Sequence, residues 1–349
     1  MPLEPCSADP FERKQLVEFL LVAFQADPNA PFINPDLLRW KYDEPGPDWP
    51  DARSFAWRHE GTIQAHAALC PSVYALRSGH ISASYLIDWA ASRTSAGAGV
   101  SLLRALSRKF DLLLAVGGSA DTQAILPKLG YRHSGDLDFY VRVLRPWRQF
   151  RTDPFPRGWK APLRLARNAL WSQASLPSPP AGWSQRPITS FNEVPQELFD
   201  ARGRFPFPCT QRSVKSMDYF MRCPGAAFSA GLIFKEGKPR GWYVLSRVGN
   251  QVRVADLWID SESVVDWSAG SSLALESASK DRYICEVVTA ASFPMAAEAL
   301  RQAGFRRHHA EPIFLLDPKK HVDTAAPLNV TMLESDLAYH FQPSYPYLT

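Results

Sequence analysis

The stretch Thr94-Ser95-Ala96-Gly97-Ala98-Gly99-Val100 sets two glycines one residue apart, after a strand-like run and before a helical one. Glycine in such a place lets successive backbone N–H groups and a helix N-terminus close around an anion such as a pyrophosphate. A Gly-x-Gly in alanine- and serine-rich sequence also serves as a plain flexible turn, but the strand before it and the helix after it favour the phosphate cradle. Asp88 ends the preceding strand-like run, where an aspartate commonly closes a turn. His66 and Tyr85 alternate with apolar neighbours and read as strand residues able to face a cleft. Cys70 has the chemistry of an acyl-accepting nucleophile, yet no activating partner stands near it in sequence, and a buried structural thiol is the plainer reading. His308 and His309 are adjacent, so on a regular strand they point to opposite faces and chelate one metal poorly. No Gly-x-Ser-x-Gly elbow occurs.

The elements that would position these residues occur twice. A β-like run, a turn at Glu60-Gly61 and a second β-like run over Ser54–Leu69 are matched by Ala230–Leu245 around Glu236-Gly237. Strand-like segments His80–Trp89 and Gln251–Ile259 come next, ending in Ile87-Asp88 and Ile259-Asp260. Helices are predicted over Gly99–Lys109 and Ala269–Lys280; in the first, Val100, Leu103, Leu106 and Phe110 recur at helical steps. Buried-type strands follow at Leu112–Val116 and Tyr283–Val288, then helices at Thr122–Leu129 and Met295–Ala303. Each of these helices is stopped by a glycine, Gly130 or Gly304. Strands Leu137–Leu144 and Pro312–Leu316 close the copies, whose landmarks recur 172–176 residues apart.

With 349 residues, 46% hydrophobic and 21% charged, the chain buries at least one sizeable core, and its length suggests two domains. Global disorder, a fibrous protein and a small disulfide scaffold are excluded. No run of about 18 apolar residues suggests a spanning helix. Nor does a basic segment precede an apolar run at the start, so no cleaved signal peptide is expected; Leu16–Phe24 reads as a helix. Five cysteines, at 6, 70, 209, 223 and 285, form no Cys-x-x-Cys and no zinc spacing, which points to a reduced, cytoplasmic setting.

The net charge of +4 is unevenly placed. Arg142, Arg145, Arg148, Arg151, Arg157, Lys160, Arg164, Arg167 and Arg186 face a single acid, Asp153, so this segment carries +8. Seven prolines break it into a connector with one short helix near Pro162–Trp171. Its charge is either a solvated linker face or an attractor for a nucleotide cofactor, a membrane surface through 142–171, or nucleic acid. No nucleic-acid recognition motif accompanies it, and no specific nucleic-acid partner is expected.

The β-β-β-α-β-α-β order, with a glycine-rich turn between the third strand and its helix, resembles the GNAT acyltransferase superfamily over roughly 54–144 and, more weakly, 228–317. Two such modules in one chain look like the tandem arrangement of mycothiol synthase, N-myristoyltransferase and the Fem aminoacyltransferases. The resemblance implies an α/β (α+β) fold of two tandem GNAT-like modules, each a mixed central sheet flanked by helices. Residues 1–145 would form the cofactor-binding module, 146–187 the basic connector, 188–320 a second module with a degenerate loop, and 321–349 a tail. The family's signature, Gln/Arg-x-x-Gly-x-Gly/Ala, is met by Gly97 and Gly99, with Thr94 where Gln or Arg is usual; one residue earlier in frame, Arg93 fits and Ala96 displaces the first glycine.

By the same resemblance, acetyl-CoA or another acyl-CoA would be held by Trp89, Ala90, Thr94, Gly97, Ala98, Gly99 and Val100, with backbone N–H groups near Trp89 and Ala90 polarising the thioester carbonyl. Asp88 is then the first candidate for the base. The tyrosine that commonly protonates the leaving thiolate falls on Leu126, while Tyr131 takes a core-aromatic position. The second copy, Ser268-Ala269-Gly270-Ser271-Ser272, lacks the second glycine and would be structural or wall an acceptor cleft. The implied activity is acyl-CoA-dependent N-acyl transfer, acetyl transfer first, to a small amine between the modules. Alternatives are a non-catalytic acyl-CoA- or partner-binding protein and a Fem-like aminoacyltransferase using aminoacyl-tRNA, for which the basic connector speaks.

Overall fold

Both hairpin turns adopt the same conformation: Glu60 and Gly61 have φ of 49° and 77°, Glu236 and Gly237 50° and 73°. Two consecutive positive φ values make a type I′ turn, whose twist matches the strands it joins. The computed structural model describes residues 4–44, 52–76, 78–95, 97–154, 158–323 and 326–349; Ala96 and Arg157 of the readings above lie outside them. In chain order the first half comprises β1 (Glu4–Pro5), α1 (Pro10–Phe24), α2 (Pro35–Leu38) running into a wide helical turn Arg39–Asp43, β2 (Ser54–His59), β3 (Thr62–Leu76), β4 (Gly79–Ala91), α3 (Ala98–Leu106), β5 (Leu112–Val116), α4 (Ala120–Ile125) and β6 (Arg132–Val143). The connector holds α5 (Pro146–Thr152) and α6 (Ala161–Ser172). Then come β7 (Trp183–Ile188), α7 (Gln196–Ala201), β8 (Cys209–Thr210), α8 (Val214–Met221), β9 (Ala227–Lys235), β10 (Lys238–Val248), β11 (Gln251–Ile259), α9 (Val264–Ser279), β12 (Glu286–Ala291), α10 (Pro294–Gln302) and β13 (Arg306–Leu316).

The described strands make one mixed sheet, ordered β1-β2-β3-β4-β5-β13-β6-β12-β11-β10-β9-β7, with β8 on β3. Only β4–β5 and β11–β12 are parallel among its pairs. The closing strands are exchanged: β13 pairs with β5, β6 pairs with β12, and the two pair with each other at the centre. This explains why both begin five or six residues before the predicted strands. Their polar first halves, Arg132–Asp136 and Arg306–Glu311, carry little strand signal, and backbone pairing across the centre holds them, aided by Arg307 on Asp138 at 2.8 Å. One apolar core runs through both halves, a second lies under α3 around Leu102, Leu106 and Phe314, and a third lies under α1 around Leu16 and Leu20.

Two predicted elements shift. β12 sits three residues later than Tyr283–Val288, and α9 begins at Val264, five residues before the predicted start. Gly270 is therefore inside a helix, where a Cβ would meet Ile259 Cδ1 at 2.5 Å; it serves close packing rather than a loop. The tail folds back: Leu328, Val330, Met332, Leu333, Ala338 and Tyr339 are buried in the main core.

Candidate active site

β4 and β5 pair only from Ala83 to Tyr85 against Leu112 to Leu114, then both continue and diverge. From Leu86 to Ala91 the β5-facing edge of β4 has no strand partner among the described residues. Within that stretch β4 is bulged: His66 faces Ala90 and Ala68 faces Ile87, so Asp88 and Trp89 stand opposite Ala67 alone. Asp88 takes φ of 48°, in the left-handed region that aspartate tolerates better than most residues. A bulge in this position redirects backbone groups of Asp88–Ala90 away from the ladder and toward the splay.

α3 starts at the open end of that splay. Gly97, at φ 84°, caps it without a side-chain hydrogen bond, and no acid stands in its first turn. Its leading N–H groups form the positive end of a helix, with Ala98 N–H reaching the Ser95 carbonyl at 3.3 Å. A Cβ on Gly97 would meet nothing within 4 Å, whereas one on Gly99 would lie 3.0 Å from Ala91 Cβ and 3.2 Å from Trp89 Nε1. Gly99 lets the helix rest directly on β4, and the Trp89 indole N–H, buried and without a hydrogen-bond partner among the described residues, lies beside this helix start. Ala90, Ala98 and Gly99 are buried; Gly97, Arg93 and Thr94 are exposed, with Thr94 bound to Ser92 Oγ at 2.8 Å. The structure thus brings Trp89, Gly97, Ala98 and Gly99 together.

Asp88 has a different setting from that of a free base. Its carboxylate is buried, 2.5 Å from Lys41 Nζ and 2.7 Å from the donating Tyr42 hydroxyl. Burial alone would push the carboxyl up, but the Lys41 ammonium and the hydrogen bonds from Lys41 and Tyr42 outweigh it and hold Asp88 below its ordinary value. Burial likewise pushes Lys41 down, and the carboxylates of Asp88 and Asp336 reverse this, leaving it raised. His66, buried and brought down to about 4 by desolvation, bridges the Asp88 carbonyl (3.1 Å) and Ser54 Oγ (2.8 Å), pinning the bulge from behind. Tyr85 faces the core, its hydroxyl on that of Tyr74. Cys70 is pushed up to about 12 by burial, which leaves it an inert thiol. Leu126 and Tyr131 are both core residues beneath α3.

The second half repeats this frame with different contents. β11 is bulged at Ala255, and the buried acid beside the bulge is Asp256, not Asp260, which lies past the strand and half-exposed on Arg240. A cation from the segment before the half-sheet meets each acid: Lys41 for Asp88, Arg212 for Asp256. Arg212 also binds Glu334 of the tail. Tail residues Asn329–Met332 line the gap between β11 and β12, with Trp267 and Phe293, leaving a cavity of about 30 Å³. At the start of α9, Asp266 of the chain itself lies within the first turn, on Lys235 and Ser261.

Sequence reading missed Lys41, one charge among several over residues 36–44, and Arg212, a charge set in an uncharged run. It also missed Glu311, a half-buried carboxyl on β13 whose Oε2 sits 2.6 Å from where a Gly117 Cβ would stand, at the end of β5. Burial raises Glu311, and His309 lies 3.8 Å from its carboxylate. His308 and His309 do not alternate: a bulge at His308 brings their Nδ1 atoms to 3.0 Å, and among the described residues no cluster suited to a metal occurs.

No protein-family model matches the sequence, and no curated protein matches it by sequence. Solved structures do match in shape. The N-myristoyltransferase of Saccharomyces cerevisiae with bound myristoyl-CoA aligns at a TM-score of 0.62 and 12% identity, over 95% of this chain and 89% of that one. A GCN5-related N-acetyltransferase from Anabaena variabilis aligns at 0.59 and 13% identity, over 90% and 73%. With its mixed sheet, its splayed parallel pair and its flanking helices, this chain has the GNAT fold.

Proposed function

We propose that the protein is an acyl-CoA-dependent N-acyltransferase whose first half holds the cofactor. The observation that carries this reading is the meeting, at one splay, of an unpaired β4 edge, a bulge and an uncapped helix N-terminus at Gly97. An extended chain rich in amide groups fits the edge of Leu86–Ala91 as an added strand, and a pyrophosphate fits the N–H groups of Gly97–Val100. Backbone N–H groups at Trp89 and Ala90 then polarise the thioester carbonyl as it becomes an oxyanion. Likeness to N-myristoyltransferase with bound myristoyl-CoA supports the same cofactor class. The cofactor supplies the activated acyl group; the protein positions it and takes the proton from the attacking amine.

For that proton we favour Glu311 over Asp88. Among the described residues Glu311 has no arginine or lysine ion pair, and it is raised by burial, whereas Asp88 is committed to Lys41 and serves to hold the bulge. The second half, its gap lined by the chain's own tail, acts as scaffold and as a wall for the amine. We place the reaction in the cytoplasm, where acyl-CoA is made; no helix among the described residues is long and apolar enough to cross a membrane. Calorimetric titration with acetyl-CoA and longer acyl-CoAs, followed by release of free thiol over a panel of small amines, tests the reading. Saturable binding with turnover is expected, together with loss of turnover but not of binding in Glu311→Gln. Binding without turnover on any amine would favour the non-catalytic alternative, and no binding at all would remove the reading.

A further inference from the structure

The connector helix α6 is turned inside out. Its inner side is largely polar and tied down, with Ala161 buried and Trp171 against the core: Asn168 Nδ2 donates to Gln149 Oε1 at 2.9 Å, Gln149 donates to Glu286 at 3.0 Å, and Arg164 pairs with Asp153. Its outer side is Pro162, Leu163, Ala166 and Leu170, all exposed, with Leu163 and Leu170 at 62% and 64%. Trp159 just before it and Trp147 on α5 are 77% and 54% exposed. A surface helix ordinarily hides its apolar stripe in the core; this one offers it to the surroundings.

The charges around the stripe select its occupant. Lys160 lies over the Trp159 ring, Arg151 over Trp147 and Arg167 over Trp171, while the segment's one acid, Asp153, is held by Arg164. Other cations of the segment are spent on structure: Arg142 caps the Gly304 carbonyl at 3.1 Å, and Arg145 the carbonyls of Ile284 and Ser279. Exposed leucine and tryptophan, ringed by lysine and arginine and free of acids, are what the headgroup region of an anionic bilayer accepts. We infer that α6, with Trp159 and Trp147, is a docking face that lays the protein on an anionic phospholipid surface. The face stands independently of the acyltransferase reading, since it lies on the connector.

Co-sedimentation of the full-length protein with vesicles of phosphatidylcholine, alone or with phosphatidylglycerol, tests this. The protein should pellet with the anionic vesicles only, and high salt should release it, because charge attraction at the surface is screened. Leu163→Glu with Leu170→Glu should weaken partitioning at least about tenfold. Lys160→Gln with Arg151→Gln should weaken it about fivefold per charge removed. All four positions are surface ones, and circular dichroism with a thermal melt verifies that the variants fold. A wild-type protein that stays in the supernatant overturns the inference, as do variants that bind as well as wild type. Self-association that the leucine variant abolishes, without vesicle binding, overturns it in favour of a second copy of the chain.

Discussion

Replacing Lys41 by methionine leaves the Asp88 carboxylate buried with Tyr42 as its remaining direct partner. The two charges stand 2.5 Å apart, with 3% and 9% of their side chains exposed. At an effective dielectric of about 20 they attract by about 7 kcal/mol, and desolvation of the two ions offsets several of these. Removing one partner exposes the full desolvation cost of the other, so Lys41→Met and Asp88→Asn should each lose about 3–5 kcal/mol in urea denaturation. The double variant removes both charges and keeps an acceptor for Tyr42; it should lose about 2–4 kcal/mol less than the summed singles. Additive losses, within about 0.5 kcal/mol, would refute the pairing. The pH dependence has a definite sign. Asp88 is depressed, so its contribution is present above its ordinary value of 3.8 and is lost as pH falls through the folded value. Lys41 is raised, so its contribution holds below 10.5 and is lost as pH rises through the folded value. Between these limits the pair contributes a plateau. A kinetic readout separates anchor from base: as an anchor, Asp88 can be neutralised together with Lys41 and turnover survives. A stable but inactive double variant would make Asp88 the base after all.

Gly97→Ala should cost about 1–2 kcal/mol of stability from its left-handed φ, whereas Gly97→Glu, with equal room, should also abolish acyl-CoA binding by calorimetry. Equal affinity in the two variants would remove the anion site. Gly99→Ala should reduce both properties, because its Cβ meets Ala91 and Trp89. Trp89→Phe removes a buried N–H that has no partner among the described residues, so stability should be nearly unchanged while cofactor affinity falls. A stability loss without an affinity change would make Trp89 a packing residue. His66 is neutral in the fold, with a pKa near 4 against 6.5 when unfolded, so stability should decline by on the order of 3 kcal/mol as pH falls from 6.5 toward 4. Imidazole NMR shifts that titrate near 6.5 in the folded protein would contradict this.

The elements legible in the sequence are those whose signals are local. β5 and β11 coincide with their predicted spans, because a run such as Leu112–Val116 has one way to be buried. The hairpin turns follow from Glu-Gly, and the helix after Gly97 from its leucine spacing. What escaped depends on partners distant in the chain. Arg132–Asp136 is strand only because Phe314 and Pro312 lie beside it. The start of α9 was hidden because Val264, Val265, Asp266 and Ser268 all have modest helix propensity, while in the fold Trp267 is buried in the main core. Asp260 matches Asp88 as the acid at a strand end, but the acid beside the second bulge is Asp256, four residues earlier, because a repeat offset does not show where a strand bulges.

Strand exchange accounts for the composition of the candidate site. A half-sheet closed by its own last strand would place β6 beside β5, and the residues at the mouth of the splay would all come from 54–144. Instead β13 lies there, so Glu311 stands beside Gly117 although more than half the chain separates them. The second half therefore contributes to the first half's cleft through its final strand, while its own equivalent gap receives the tail that follows that strand. The exchange and the plug have one cause: β13 runs across the centre, and the chain that leaves it returns past Pro208 and Cys209 to the second splay, where Asn329 pairs with them and Glu334 meets Arg212. One frame thus has two different fillings: neither helix has a side-chain cap, but α9 carries Asp266 in its first turn, and the helix start without an acid belongs to the splay that the tail leaves alone.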